Sequence, residues 1–341
     1  MIYNSGNQDE NFHPRFALSM GDPAGIGPEI ALKAFENAWF RQTVMLIGDA
    51  SVMHETAHRM GKNSEFTILE HPDDFRKDCI NIIDCQKIRP DMYEMGSSQR
   101  ICGDASYHYI KRAIEYAMNG VVDGVITNPI NKKSFAMAGI SYPGHTEMFA
   151  DMTGTKEYSM LFLLKNVAVA HVTTHCSVRK AIDMISRETV LQNITLLNDA
   201  LKELGFERPR IAVSGLNPHA GENGLFGDEE EVHIMPAIQS AQSLGIAASG
   251  PLPPDTVFMR SFRGEFDGIV SMLHDHGFVA LKSMDFEHGV NITIGLPIVR
   301  TSVGHGTAFD IAGKFGSAHA DSLLAAHDAA AKIYAARRMK R

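Results

Sequence analysis

The chain is poor in the features that would commit it to an extracellular, membrane or nucleic-acid setting. Cys79, Cys85, Cys102 and Cys176 are the only cysteines in 341 residues and show no Cys-x-x-Cys spacing, so they make no disulfide framework. No run approaches eighteen apolar residues, so no membrane span is expected. The net charge of -8, with no basic tract, argues against nucleic acid as the main partner, and any positive site must be local. Residues 1–13 are polar, lack the apolar stretch of a signal peptide and read as a disordered tail. A reducing cytoplasm is the expected location.

What the sequence does contain is alternation. Phe16–Met20 is a short apolar strand, followed by a glycine-rich turn and a helix to about Ala38. Val44–Asp49, Asn81–Asp84 and Val121–Ile126 read as further strands, with helices over Ala50–Met60 and Cys102–Asn119. Tyr158–Leu164 and Val167–Val172 look like paired strands, and Ile182–Leu204 like one helix. Then come a strand at Arg210–Ser214, a helix near Pro236–Leu244, strands at Gly268–Met272 and Val290–Val299, and a helical arm from about Ala308. The pattern predicts an α/β fold with a mainly parallel sheet.

Gly21–Gly27 contains Gly-x-x-x-Gly-x-Gly after a strand. It is not the dinucleotide pattern Gly-x-Gly-x-x-Gly, and Pro23 and Pro28 remove amide donors, so it is a weak nucleotide site. A tight turn with Pro28 opening a helix explains it structurally.

Three histidines sit at the carboxyl ends of three expected strands: His175, His219 and His274. Three imidazoles with an open position are a normal ligand set for a catalytic divalent metal, although sixteen histidines will place some at strand ends by chance. His171 and His276 compete with them, and Asp275 is either a ligand or the group that orients one. Lys282, Asn291 and Arg300 suit a phosphate or carboxylate. For a single Lys or Arg a solvated surface is the usual reading, but Arg300 ends an apolar strand and enters a glycine turn. His145 and Thr146 lie at a helix start, where free amides favour an anion; Thr146 alternatively is the N-cap, with Glu147 in the first turn.

The runs Met-Gly-Asp-Pro-Ala-Gly-Ile-Gly-Pro-Glu-Ile, Gly-His-Thr-Glu, Asn-Pro-His-Ala-Gly-Glu, Pro-Leu-Pro-Pro-Asp-Thr, His-Asp-x-Gly and Arg-Thr-Ser-Val-x-His-Gly-Thr-Ala occur in this order. Together they resemble the 4-hydroxythreonine-4-phosphate dehydrogenase family from about Arg15 to Ala335. The resemblance implies an NAD-dependent, metal-dependent oxidative decarboxylase of a phosphorylated hydroxy acid. It implies two α/β/α lobes similar to isocitrate and isopropylmalate dehydrogenases: residues 14–128 plus 283–341, and 129–282, with the cleft between them. It also implies a homodimer with shared active sites.

Position by position, His175, His219 and His274 match metal ligands contributed by both subunits, for one divalent ion among zinc, magnesium, cobalt, manganese and nickel. His145, Thr146, Lys282, Asn291 and Arg300 match substrate-binding positions. His305, Gly306, Thr307, Ala308, Asp310 and Gly313 resemble an adenosine-binding loop. Lys132 is the candidate for proton transfer, with Asp275 beside it as a further catalytic candidate.

Asn128, His276 and Gly304 depart from the biosynthetic branch of the family. They look more like a second branch acting on 4-phospho-D-threonate or 4-phospho-D-erythronate. A third branch, which oxidises a non-phosphorylated cis-dihydrodiol carboxylate, shares Ser-Val-Gly-His-Gly but lacks the arginine and the Gly-His-Thr-Glu run present here. From other classes, a three-His metal hydrolase and a metal- or anion-binding protein without turnover stay open.

Overall fold

The computed structural model describes residues 13–284 and 288–340. The expected tail, His13 apart, lies outside the described residues. The strands are β1 (Phe16–Ser19), β2 (Val44–Gly48), β3 (Phe66–Ile68), β4 (Ile80–Asp84), β5 (Gly124–Thr127), β6 (Ser159–Leu164), β7 (Val167–His171), β8 (Ile211–Ser214), β9 (Ala248–Leu252), β10 (Gly268–Ser271), β11 (Val290–Ile294) and β12 (Val299–Val303). The helices are α1 (Gly27–Ala34), α2 (Ala38–Thr43), α3 (Ala50–Arg59), α4 (Arg100–Met118), α5 (Lys132–Met137), α6 (His145–Met152), α7 (Val178–Met184), α8 (Arg187–Glu203), α9 (Met235–Ser243), α10 (Pro254–Phe262), α11 (His274–Met284) and α12 (Asp321–Met339).

All twelve strands join one sheet in the order β3-β4-β2-β1-β5-β12-β11-β6-β7-β10-β8-β9. The expected α/β class is borne out. Every residue of β1, β2, β5, β7, β10 and β12 is buried, as strands covered on both faces must be, and in β12 this includes Arg300, Thr301 and Ser302. The six strands from β3 to β12 are parallel, and so are the four from β7 to β9. Between these blocks, β11 and β6 each run antiparallel to both neighbours. The reversals leave the carboxyl ends of β5 and β7 pointing in opposite directions along the sheet. Four steps of right-handed twist, roughly 20–25° each, separate those strands, and both ends border one cleft. The expected lobe division falls between the neighbours β11 and β6.

Four expected elements differ. The apolar run Val290–Val299 is not one strand but a hairpin, with Val290 opposite Val303 and Ile292 opposite Thr301. Gly295 makes the break: its φ is +92°, and a Cβ there would lie 2.3 Å from the Glu157 carbonyl oxygen. Ile182–Leu204 is two helices, because Ser186 leaves the helical conformation to accept from the Thr189 amide and cap α8. The first helix stops at Ala34, and Asn37 caps a separate α2. The carboxyl-terminal arm becomes helical only at Asp321; Ala308, with φ +45°, sits in a turn.

Candidate active site

A cavity of about 240 Å³ opens where the loop after β5, the start of α6, the ends of β7 and β10, and the hairpin β11–β12 converge. It is lined by Lys132, His145, Thr146, His175, His274, Lys282, Asn291, Arg300, His305 and Gly306 among the residues singled out in the sequence, and also by Glu147 and Phe278. His219 is not among them.

Arg300 is 2% exposed. It lies inside β12, not at a strand end, and its register on β5 and β11 places it among hydroxyls. Its Nη1 donates to Oγ1 of Thr293 at 3.0 Å and, at 3.5 Å, to Oδ1 of Asn291. Nη2 donates to Oγ1 of Thr127 at 2.9 Å, and the guanidinium lies 5.4 Å from the centre of the Phe149 ring. Nε is buried without a partner. Burial pushes the guanidinium down to about 9, against the pull of Glu147, so it stays a cation at neutral pH.

His145 opens α6, and Gly144, not Thr146, is the N-cap. Its Nε2 is buried and unpartnered. Burial first, then Arg300 and Lys132, hold the imidazole well below its usual pKa, so it is neutral. Thr146 is buried and its hydroxyl lies 3.5 Å from that of Thr293. Lys282 is exposed on α11, with Nζ 5.3 Å from the centre of the Phe278 ring. This corner therefore presents a charged guanidinium, a neutral imidazole and a lysine to whatever enters it.

Opposite stand His175 and His274, their rings 5.8 Å apart. His274 does not end a strand; it is the first residue of α11. Asp275, an exposed side chain, accepts from Nδ1 of His274 at 2.8 Å and does not line the cavity. Oε1 of Glu147 accepts from Nδ1 of His175 at 3.2 Å, and Lys132 Nζ lies 3.4 Å from His175 Nε2. With each Nδ1 engaged by a carboxylate, Nε2 is the ring nitrogen left to each for a cation, and on His175 it already faces Lys132 Nζ.

The competing histidines are placed elsewhere. His171 is buried at the end of β7, stacks on Phe278 at 4.8 Å between ring centres, and points Nε2 at Gly277, where a Cβ would lie only 2.2 Å away. His276 is half-buried and outside the cavity.

His219 follows β8, which neighbours β10, yet it is an exposed side chain in the turn Pro218–Gly221, with its backbone in the left-handed region at φ +54°. Among the described residues no three His, Cys, Asp or Glu side chains stand close enough to hold a metal. One chain thus brings together two of the three expected ligands.

Of the expected nucleotide loop, His305 and Gly306 form the cavity rim, and His305 Nδ1 lies 3.0 Å from the Gly306 carbonyl oxygen. Thr307 is buried, and its carbonyl accepts from the Ile26 amide at 3.1 Å. Asp310 is exposed, and Gly313 lies beside Met95. The glycine turn at Gly21–Gly27 therefore supports this loop.

Sequence reasoning missed Glu147, Thr127, Thr293 and Phe278. Glu147 was visible in Gly-His-Thr-Glu, and Phe278 lies one helical turn after His274. The two threonines carried no signal, since only the pairing of β5, β12 and β11 aims them at Arg300.

Among proteins of known function, the chain is 44% identical over 300 residues to a D-threonate 4-phosphate dehydrogenase of Salmonella typhimurium, covering 87% of this chain and 92% of that protein. A 4-hydroxythreonine-4-phosphate dehydrogenase structure from Klebsiella pneumoniae superposes with a TM-score of 0.82 at 41% identity, over 94% of this chain and 99% of that one. A terephthalate 1,2-cis-dihydrodiol dehydrogenase from Burkholderia xenovorans LB400 is more distant, with a TM-score of 0.66 at 28% identity over 94% of this chain and 98% of that one. With residues 40–330 also matching the family described as pyridoxal phosphate biosynthetic protein PdxA, the chain belongs to that family.

Proposed function

We propose that the chain is an NAD-dependent, divalent-metal-dependent dehydrogenase that oxidises and decarboxylates a 4-phosphorylated 3-hydroxy acid. The substrate class takes in 4-phospho-D-threonate, 4-phospho-D-erythronate and 4-hydroxy-L-threonine 4-phosphate, and the 44% identity to a D-threonate 4-phosphate dehydrogenase favours the first. The observation that carries this reading is Arg300: a buried cation, its Nε unsatisfied, with no carboxylate among the described residues in hydrogen-bond contact. A buried charge is costly unless an opposite charge meets it, so the ligand brings the anion.

His175 and His274 would hold the metal, with His219 supplied from a second copy across a homodimer. When bound, the metal would supply Lewis acidity and the nicotinamide a hydride acceptor. Arg300, His145, Thr146, Lys282 and Asn291 bind and orient the phosphate. Lys132, adjoining His175, is the group placed to carry the proton from the substrate hydroxyl. His305 and Gly306 border the cavity, and the loop they open, to Gly313, is where a dinucleotide would lie. The two lobes, 14–128 plus 283–341 and 129–282, would form the walls of the cleft.

The test is NADH and carbon dioxide release from phosphothreonate, phosphoerythronate, 4-hydroxythreonine phosphate and a dihydrodiol carboxylate, with and without a chelator. Turnover of the phosphorylated acids that the chelator stops is expected. Turnover of the dihydrodiol alone, or hydrolysis without NADH, would overturn the reading.

A further inference from the structure

The two imidazoles of the cavity are held by carboxylates of unlike character. Asp275, which meets His274, is 83% exposed at the side chain, whereas Glu147, which meets His175, is 24% exposed. An exposed pair is screened and loses side-chain entropy, so it holds a ring weakly. A carboxylate sheltered from water holds its partner harder, and the first turn of α6 favours its charge.

Direction follows from chemistry. A carboxylate accepts and does not donate, so the proton of His175 sits on Nδ1. Nε2 then carries the lone pair, turned into the cavity, where Lys132 meets it at 3.4 Å. The second oxygen of Glu147, Oε2, is buried without a hydrogen-bond partner among the described residues, so the side-chain hydrogen bond of Glu147 there is the one it accepts from His175.

We propose that Glu147 is the positioning residue that fixes the tautomer and ring orientation of His175, and through them the cation affinity of the site. This rests on the reading of His175 as a metal ligand. Glu147 touches neither substrate nor cation in this role. Its effect appears as cation affinity first and as turnover only in consequence.

The experiment is calorimetric titration of the full chain with cobalt and with zinc, alongside nitrogen NMR of the histidine rings. The variants are Glu147→Leu, Glu147→Asp, Asp275→Ala and His175→Ala, with thermal melts to confirm folding. Glu147→Leu should weaken cation binding about 10–100-fold and release the Nδ1–H tautomer of His175. Glu147→Asp keeps the charge but withdraws it by one methylene, and it should weaken binding in the same sense. Asp275→Ala should cost less than Glu147→Leu. If Glu147→Leu does not fold, Glu147→Asp carries the test. Wild-type affinity and an unchanged tautomer in the folded variants, with binding abolished by His175→Ala, would overturn the proposal and leave the metal reading intact. Wild-type affinity in His175→Ala would overturn the metal reading itself.

Discussion

The guanidinium of Arg300 on β12 reaches across the ladder to the hydroxyl of Thr127 at the end of β5, with Nη2 and Oγ1 2.9 Å apart. The bond ties this buried cation to the strand end from which the Lys132 loop departs. A rigid, forked donor set is needed here, because Nη1 is simultaneously bonded to Thr293.

Arg300→Lys should therefore fail as a conservative change. An ammonium offers one point of charge where a fork now serves two hydroxyls and, under the proposed function, would also serve a ligand anion. The expected loss is at least about tenfold in affinity for a phosphorylated acid, corresponding to about 1.5–3 kcal/mol for a hydrogen bond to a charged group. Affinity for the dephosphorylated acid should change much less. Calorimetric titration with the two ligands checks it, and equal losses for both would contradict it.

Gly277→Ala should destabilise the protein by about 1–3 kcal/mol, the usual cost of overpacking. The added carbon would lie 2.2 Å from Nε2 of His171 and 3.0 Å from its Cδ2, inside a fully packed wall. His171 stacks on Phe278, whose ring lies 4.5 Å from that of His274, so cation affinity should also fall. Urea melts and cobalt titration of the variant measure the two effects separately.

Gly25→Ala probes the support of the His305–Gly313 loop. A Cβ at this position would lie 3.0 Å from both the Cβ and the carbonyl oxygen of Thr307. The expected outcome is a raised KM for NAD with little change in the affinity for the phosphorylated acid. A shift in the acid's affinity with NAD unaffected would place the loop elsewhere in the chemistry.

Acid should unfold the protein partly through His327. Burial among Phe16, Trp39 and Phe40 pushes its imidazole from 6.5 down to about 3. A depressed folded pKa means that the stability is present above pH 6.5 and is lost as pH falls towards 3, at about 1.4 kcal/mol per pH unit. His327→Phe should flatten that slope between pH 6 and 4, within the range set by those two values.

Asp22 works in the opposite sense. Burial raises it from 3.8 to about 6, so its charge costs stability as pH rises through 6. Asp22→Asn should stabilise the protein above pH 6 by about 2–3 kcal/mol, with the gain vanishing near pH 4. Urea midpoints across that range decide both cases.

Much of this was legible in the sequence because strand ends in a parallel α/β sheet are marked by apolar runs followed by polar turns. Lys132, His175 and His274 were singled out on that basis, and the structure brings them to one cavity, although His274 opens α11 and His175 lies four residues beyond β7. The hairpin at Gly295 was not legible. An apolar run of ten residues reads as one strand until the carbonyl of Glu157 is known to stand where a side chain would go. Glu147 was read only as a helix-start acid, since its bond to His175 joins residues 28 apart in sequence. His219 was legible as a candidate ligand, but its distance from the cavity belongs to tertiary structure that no local pattern encodes.

The unbroken sheet also constrains how the cleft can change shape. Its walls are joined through the ladders β12–β11 and β11–β6. Widening the cavity means altering the coil of those ladders, so substrate entry draws on the torsional stiffness of the sheet. Amide protons of Ile292 and Thr293 should accordingly exchange as slowly as those of the deepest core, and do so with the ligand bound or absent.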